Sequence, residues 1–341
     1  MVLPLAEAIE RLGSPFAIEA FSAVAGDPVL AVDFSGAELT DDDDLAAAYA
    51  TLPQLACPSI AVGAGPLSAA GQRLRDRFDV VVASEAELEL LLATVRRTPQ
   101  AALAAVQLLR HNEHLNIHEG LIAESLMYST LQAGPEFATW LGNQPPPRSQ
   151  KPNPEPAVLV RRAGGRLYLT LNRPEKRNAF SVAMRDGLVE GLRVAIHDPS
   201  IAEVVLAGEG PAFCSGGDLD EFGSFPDPVT AHTIRSTRNP ARSLAACGSR
   251  LSAKVHGACV GAGIELAAFA QHITAAETTT FQLPEVAMGL VPGAGGTASL
   301  PRRIGRQRTA YLALSGRAID AATAADWGLV DALEEANGPG R

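Results

Sequence analysis

Cysteine is scarce in this sequence, and no two cysteines are spaced as a CxxC pair. The four residues are Cys57, Cys214, Cys247 and Cys259. All but Cys247 lie in apolar runs, where an unpaired cysteine usually acts as a small core side chain. This usage argues against a disulfide framework and favours a reducing compartment, so we expect a cytoplasmic protein.

An excess of basic residues is also missing. The sequence has 28 Lys and Arg against 38 Asp and Glu, which gives a formal net charge of −10. Such a chain should not bind nucleic acid through bulk electrostatics, because the phosphate backbone attracts positively charged surfaces. A local basic pocket could still hold the phosphates of a small anionic ligand.

Targeting and membrane signals are lacking as well. The opening residues, MVLPLAEAIERLG, have no basic segment ahead of an apolar one, so we expect no signal peptide. The most apolar long stretch, residues 255–276, contains Glu265 and two histidines. It predicts a buried helix with its entry loop, and no membrane span. Hydrophobic residues make up 47% and charged residues 19%, which is ordinary for a globular protein.

A segment rich in proline divides the 341 residues, a length that suits two domains. Residues 144–156, QPPPRSQKPNPEP, have no apolar periodicity and predict a stiff, extended linker. The sequence therefore predicts an N-terminal part of residues 1–143 and a C-terminal part of residues 157–341.

Strand and helix patterns alternate in both parts, which predicts the α/β class with substantial parallel pairing. In the C-terminal part, residues 158–162 and 166–171 flank Gly164-Gly165 and predict a hairpin. The other predicted strands are 204–206, 252–256, 273–275 and 279–282, and the predicted helices are 181–197, with Ser181 as N-cap, 263–271, 305–315 and 321–325. In the N-terminal part, the predicted strands are 29–33, 59–62 and 79–83, and the predicted helices are 85–97, 101–110 and 119–133.

Two clusters in the N-terminal part could suggest metal binding, but a simpler interpretation is favoured for each. Asp41–Asp44 predicts a solvated loop that ends in a helix cap. In HNEHLNIHE, residues 111–119, His114 and His118 have a spacing known for metal ligands. Spacing alone provides neither an open coordination position nor supporting groups, so we predict a polar helix face or a loop between two helices, and no metal.

Four segments of the C-terminal part combine features that a binding site needs. Basic side chains in the first could reach phosphates, and paired glycines in the second let backbone N–H groups approach a ligand. Small residues in the third begin a helix and expose its unpaired N–H groups, and Pro284 in the fourth fixes the approach to Glu285. Each segment alone is more typical of a surface loop, a tight turn, a helix start or an exposed acid. The segments are residues 172–179 (NRPEKRNA), 212–219 (AFCSGGDL), 257–266 (GACVGAGIEL) and 281–297 (FQLPEVAMGLVPGAGGT).

Together, the four segments resemble the enoyl-CoA hydratase/isomerase (crotonase) superfamily, in the family's order and at its usual separations. The resemblance covers about residues 158–333. It implies a crotonase-like core, a superhelix of ββα units with a helical segment used in oligomerisation. It also implies an acyl-CoA thioester substrate and a homo-oligomer, a trimer or hexamer. The charge and the hydrophobic pattern predict that the protein binds neither nucleic acid nor membrane.

The resemblance assigns roles to particular residues. The backbone N–H groups of Gly217 and Ala262 would form an oxyanion hole, Glu265 and Glu285 would be the acid/base pair, and Gly293 would lie beside the catalytic water. Residues 222–250 would line the acyl pocket. The expected contacts to coenzyme A come from Lys176, Arg177, Ala179, Ser215, Gly216, Asp218 and Leu219.

The reaction implied is the reversible addition of water to a 2-enoyl-CoA thioester. Two fixed N–H groups stabilise the enolate oxygen, and two carboxyls divide the proton transfers. No metal or separate cofactor is expected, since coenzyme A is part of the substrate. Other crotonase reactions, isomerisation or carbon–carbon and ring-opening hydrolysis, stay open as alternatives, as does a weakly active assembly subunit.

The sequence departs from the family in where its helical tail lies. The family's tail usually follows the segment that matches residues 327–331, and it is missing there. Residues 78–88 resemble the end of the family's core, and residues 101–141 resemble the tail itself. Our hypothesis is that the N-terminal part is a shortened, degenerate crotonase-like domain without the two glutamates. Its helices would replace the tail, in this chain or a neighbouring one.

Overall fold

Strands and helices alternate through the protein, for which a computed structural model describes residues 2–35, 39, 45–63, 65–147, 154–225 and 227–335. The strands are β1 (Val2–Pro4), β2 (Leu30–Asp33), β3 (Ser59–Val62), β4 (Val80–Val82), β5 (Val158–Ala163), β6 (Arg166–Leu171), β7 (Glu203–Gly208), β8 (Leu251–Val255), β9 (Ala258–Val260), β10 (His272–Ala276), β11 (Thr280–Gln282), β12 (Ile319–Asp320) and β13 (Ala332–Glu334). The helices are α1 (Leu5–Leu12), α2 (Ala17–Ala20), α3 (Ala46–Thr51), α4 (Ala69–Arg75), α5 (Glu85–Arg97), α6 (Pro99–Asn112), α7 (Ile117–Gln132), α8 (Pro135–Gly142), α9 (Val182–His197), α10 (Pro228–Thr237), α11 (Pro240–Cys247), α12 (Ala262–Ala267), α13 (Gly296–Ser315) and α14 (Ala321–Asp326).

The strands form mostly parallel sheets, as the alternating pattern predicts. A four-stranded parallel sheet has the order β1-β2-β3-β4, and a six-stranded sheet has the order β13-β10-β8-β7-β6-β5. Only β5 is antiparallel in the larger sheet, where it pairs with β6 across the predicted Gly164-Gly165 turn. A third sheet, β12-β11-β9, lies where two of the motif segments meet. The predicted α/β class is confirmed.

Two predicted helices have different bounds in the structure. The helix expected at 263–271 ends at Ala267, because the chain turns there and the N–H of Gln271 already bonds Leu251 O beside the sheet. The helix expected at 305–315 starts earlier, at Gly296. Gly305 kinks this helix with a φ of 80°, and Pro301 lies inside it. Because both residues usually end a helix, the sequence predicts a helix end where the helix continues.

Helices α5, α6 and α7 pack on α13, and α7 also packs on α10. One hydrophobic core therefore includes side chains from both parts of the chain, such as Leu91, Val106 and Leu109 with Leu300 and Leu312. A smaller core lies between the four-stranded sheet and its own helices. The helices at 101–141 thus cover the C-terminal part of the same chain.

A buried ion pair network also joins the two parts. Asp79, which is 1% exposed, receives a bond from Arg110 Nε to Oδ1 at 2.8 Å and another from Arg306 Nη1 to Oδ1 at 2.9 Å. Arg110 lies on α6 and Arg306 on α13. One carboxylate therefore holds two cations from opposite parts of the chain.

The two clusters weighed for metal binding have different outcomes. Residues 41–44 lie outside the described residues, as do residues 148–153 of the predicted linker. Glu119 forms a reciprocal N-terminal cap of α7 with Asn116, so one acid of the histidine-rich segment has a structural partner. Within the described ranges, no three or more His, Cys, Asp or Glu side chains are placed to hold a metal ion. No helix in those ranges is long and apolar enough to span a membrane.

Candidate active site

Two residues that line one cleft have backbone N–H groups without an acceptor among the described residues. Gly217 follows Gly216, which has a φ of +98°, and Ala262 is the first residue of α12 after Gly261, which has a φ of 49°. A β-bridge between Cys214 and Cys259 holds these two segments side by side, and a second bridge joins Gly217 to Phe180, just before α9. Among the described residues, neither N–H donates a hydrogen bond. Such a pair of free donors suits an oxygen that gains negative charge.

Glu265 is the acceptor of a second pair of backbone N–H groups. Its side chain lies one turn into α12 and is 2% exposed. Oε2 accepts bonds from Ala294 N at 2.7 Å and Gly296 N at 2.9 Å. Burial raises the pKa of the carboxyl to about 7, against the opposing effect of these hydrogen bonds. Glu265 can therefore be ionised near neutral pH.

Glu285 lies in a different environment from Glu265. Its Oε2 is buried and has no hydrogen-bond partner among the described residues. Burial, followed by the charge of Glu265, raises the pKa of this carboxyl well above its ordinary value. Its Oε1 lies against Gly261, where a Cβ would come within 2.3 Å of that oxygen. A side chain at position 261 would therefore displace Glu285.

One cleft brings all five predicted catalytic residues together. Its lining includes Gly217, Ala262, Glu265, Glu285 and Gly293. The residues that carry the two free N–H groups and the two carboxyls therefore line the same cleft.

Sequence reasoning missed a third buried carboxyl, that of Glu124 on α7. It is 3% exposed and accepts bonds from Gly295 N at 2.7 Å and Thr297 N at 3.0 Å. Along residues 294–297, the backbone N–H groups therefore donate hydrogen bonds alternately to Glu265 and to Glu124. Burial, and then the Glu265 charge, raise the pKa of Glu124 to about 8. No pattern in the sequence identifies Glu124, because its partners lie 171 and 173 residues away.

We expect Glu124→Gln to lower kcat by about 10- to 100-fold, since small misplacements of reacting groups have effects of that size. The new amide would turn an N–H group toward Gly295 or Thr297 and disturb the segment that fixes Glu265. KM should change little because Glu124 does not line the cleft. Steady-state kinetics would check this, with Glu89→Gln on the exposed face of α5 as the matched control. A rise in KM with kcat unchanged would contradict it.

The residues predicted to contact coenzyme A lie on two loops joined by a buried ion pair. Asp218 accepts a bond from Arg173 Nη1 at 2.8 Å and pairs with Lys176 Nζ at 3.1 Å. Burial raises the pKa of Asp218, but bonds from Arg173 and Lys176 outweigh it and lower the pKa overall. Lys176 also pairs with Asp220 at 2.6 Å. The positive charges of Arg173 and Lys176 therefore hold the two loops together.

The other predicted contacts differ in exposure. Arg177 is exposed and has a φ of 51°, and its carbonyl accepts the N–H of Ser215 at 3.0 Å. Leu219 is 50% exposed, while Ala179 is 8% exposed. Gly216 O accepts the N–H of Phe180 at 2.7 Å. Arg177 is therefore the cation on these loops that is most open to an incoming phosphate.

The sequence model of the enoyl-CoA hydratase/isomerase family matches residues 161–336, half of the chain. The chain belongs to this family. Its crotonase-like α/β fold agrees with a solved structure from Mycobacterium abscessus, provisionally described as an enoyl-CoA hydratase/isomerase. That structure is 35% identical, has a TM-score of 0.50, and is matched over 52% of this chain and 71% of its own.

Curated relatives within the enoyl-CoA hydratase/isomerase family have different named reactions. The 2,3-dehydroadipyl-CoA hydratase of Escherichia coli (strain K12) is 39% identical over 51% of this chain and 67% of its own length. The 1,2-epoxyphenylacetyl-CoA isomerase of the same organism is 36% identical over 49% and 65%. The match to a mevalonyl-coenzyme A hydratase of Aspergillus fumigatus covers 63% of that protein. The chain therefore spans about two thirds of these relatives.

The family match begins at residue 161, so Glu124 and Tyr128 lie outside it. Tyr128 lines the cleft, and a Cβ on Gly293 would come within 2.4 Å of its ring. In this member of the enoyl-CoA hydratase/isomerase family, α7 therefore closes one side of the cleft. The sequence did not predict Tyr128 as a cleft residue, because only folding brings α7 to this position.

Proposed function

We propose that this chain hydrates 2-enoyl-CoA thioesters reversibly. The observation that supports this most directly is that Glu265 and Glu285 occupy unlike environments opposite two acceptor-free N–H groups. Two carboxyls with separated pKa values can act as base and acid at the same pH. Family membership supports an acyl-CoA enzyme, and the pair of acids favours hydration among the family's reactions.

Glu265 would act as the base and Glu285 as the acid. Glu265 accepts two backbone N–H bonds, which favour its ionised form, so it can take a proton from water as the oxygen adds to the β carbon. Glu285 has no donor to its buried oxygen, so its protonated form is favoured and can deliver a proton to the α carbon. Dehydration would reverse both transfers.

The backbone would stabilise the intermediate between these transfers. Addition of oxygen to the β carbon moves an electron pair onto the thioester oxygen and forms an enolate. The N–H groups of Gly217 and Ala262 would bind that oxygen. Protonation of the α carbon restores the carbonyl and completes a 3-hydroxyacyl-CoA. Isomerisation would need a single acid to move one proton, and the presence of both glutamates favours hydration over it.

Further parts of the proposal rest on the resemblance. The exposed Arg177 and the loops of residues 172–179 and 212–219 would bind the nucleotide and pantetheine of coenzyme A. The N-terminal part would be a degenerate domain whose helices replace the family's tail. Assembly as a trimer or hexamer and a cytoplasmic location stay predictions.

We expect crotonyl-CoA to be hydrated with a bell-shaped dependence of kcat/KM on pH. The acidic limb should lie near pH 7, because Glu265 must lose its proton and its pKa is raised to about 7. The alkaline limb should reflect Glu285, which must keep a proton and whose pKa is raised well above its ordinary value. Loss of the enoyl absorbance would follow the reaction. Binding without hydration at any pH, for crotonyl-CoA and for an unsaturated dicarboxylic thioester, would count against a hydratase.

A further inference from the structure

Arg235 on α10 lines the cleft without a carboxylate partner. Among the described residues, no acid lies within ion-pair distance of its guanidinium. Arg238, three residues further along the same helix, differs in this respect. It donates to Asp186 Oδ1 and to Glu190 Oε1, both at 2.7 Å. The charge of Arg238 is therefore compensated within the protein, and that of Arg235 is not.

Neutral groups of α7 hold the Arg235 side chain in place. Its Nε donates to Ser125 Oγ at 3.1 Å, and its Nη2 donates to Ser129 Oγ at 2.5 Å and to Gln132 Oε1 at 3.4 Å. Its Cζ lies 4.8 Å from the centroid of the Tyr128 ring. Nη1 has no acceptor among the described residues. Helix α7 thus fixes Nε and Nη2 of the guanidinium, and Nη1 is left for a ligand.

Arg235 is half-buried, so part of its charge is removed from water without a counter-ion. Removing a charge from water costs free energy that a counter-ion normally offsets. Burial lowers the pKa of Arg235, yet a guanidinium stays charged at neutral pH. Glu124 acts on it only through space, since its own oxygens accept bonds from Gly295 and Thr297. A structural link between α7 and α10 would need only a neutral side chain.

We propose that Arg235 binds a carboxylate at the far end of the acyl group, so that the substrate is the monothioester of an unsaturated dicarboxylic acid. An arginine fork binds a carboxylate with directional, charge-assisted hydrogen bonds. The position suits a short acyl group. One edge of the Tyr128 ring lies against Gly293, which lines the cleft with the two glutamates. The guanidinium of Arg235 lies over the face of the same ring. This inference rests on the proposed function and specifies its substrate class.

The test measures binding of saturated thioesters, which cannot be hydrated. Calorimetric titration of the full-length protein would compare glutaryl-CoA with pentanoyl-CoA, and adipoyl-CoA with hexanoyl-CoA. We expect the carboxylate-ended member of at least one pair to bind about 10- to 100-fold more tightly, the size of a charged hydrogen bond. Arg235→Met should abolish that preference, and Arg235→Lys should keep part of it. Arg242→Met, an exposed arginine outside the cleft, is the matched control for loss of one charge.

Each outcome decides between the two proposals. Equal binding of both members in both wild-type pairs would overturn the inference while leaving the hydratase proposal intact, and it needs no variant that might fail to fold. A preference that survives in folded Arg235→Met would also overturn it. The carboxylate-ended thioester could bind tightly while neither crotonyl-CoA nor an unsaturated dicarboxylic thioester is hydrated. That result would support the inference and overturn the hydratase proposal. Failure to bind any thioester would end both.

Discussion

Glu285→Gln is expected to lower kcat for hydration by about 100- to 10,000-fold, the range typical of a lost general acid. Glutamine keeps the shape of the side chain but cannot deliver a proton to the α carbon. Binding of a saturated acyl-CoA should be almost unchanged, because the thioester oxygen would still be held by Gly217 and Ala262. Glu265→Gln should lose activity over a similar range, because an amide cannot take a proton from water.

Isotope exchange would separate the two roles. In heavy water, Glu265→Gln should still exchange the α proton of a 3-hydroxyacyl-CoA, since Glu285 alone handles that position. Glu285→Gln should lose the exchange. Mass spectrometry of the recovered thioester would measure both. Equal exchange in the two variants would mean that the acid and base roles are wrongly divided, even if both lose hydration.

Asp79→Ala is expected to lower the free energy of unfolding by about 3–5 kcal/mol, the usual cost of breaking a buried ion pair. The change would leave Arg110 and Arg306 without the carboxylate that lies between them. Glu113 is 3.1 Å from Arg306 but 43% exposed, so water screens the remaining pair. Ser59 would also lose the acceptor of its N–H and hydroxyl groups.

Urea denaturation would measure the Asp79 effect. The control is Glu7→Ala, which removes an exposed pair with Arg11 at 2.6 Å and should change stability by under about 1 kcal/mol. The two variants each remove one carboxylate, so they differ mainly in burial. Similar losses for both would show that Asp79 contributes no more than a surface charge.

The parts of the fold with local signals could be predicted from the sequence. The Gly164-Gly165 turn and the β5–β6 hairpin follow from two apolar runs around a glycine pair, and the Ser181 cap is confirmed by its bond from Met184 N. Helix α5 has the predicted bounds, because an N-cap and an apolar period both mark it. The end of α12 could not be predicted, since a bond to Leu251 in the sheet decides it.

The candidate site also contains some residues that the sequence predicts and some that it does not. The motif segments identify Gly217, Ala262, Glu265 and Glu285 because each pairs a special backbone with a chemical group, and the fold places them in one cleft. Glu124 and Arg235 have no such local mark. The roles we propose for them rest on contacts between elements more than 100 residues apart, such as Arg235 with Ser125, 110 residues away. Only the tertiary structure reveals which charges are paired.

The sharing of residues 294–297 between Glu124 and Glu265 has a consequence for how the protein acquires its activity during folding. Glu124 and Gly295 are separated by 171 residues, whereas Glu265 lies only 29 and 31 residues from its own donors, so the Glu124 contact closes the longer loop at the greater entropic cost. On the ribosome, α7 is synthesised first and remains without its partner until α13 has emerged. We therefore expect the segment that holds Glu265 to reach its final arrangement late in folding, when α7 docks on α13.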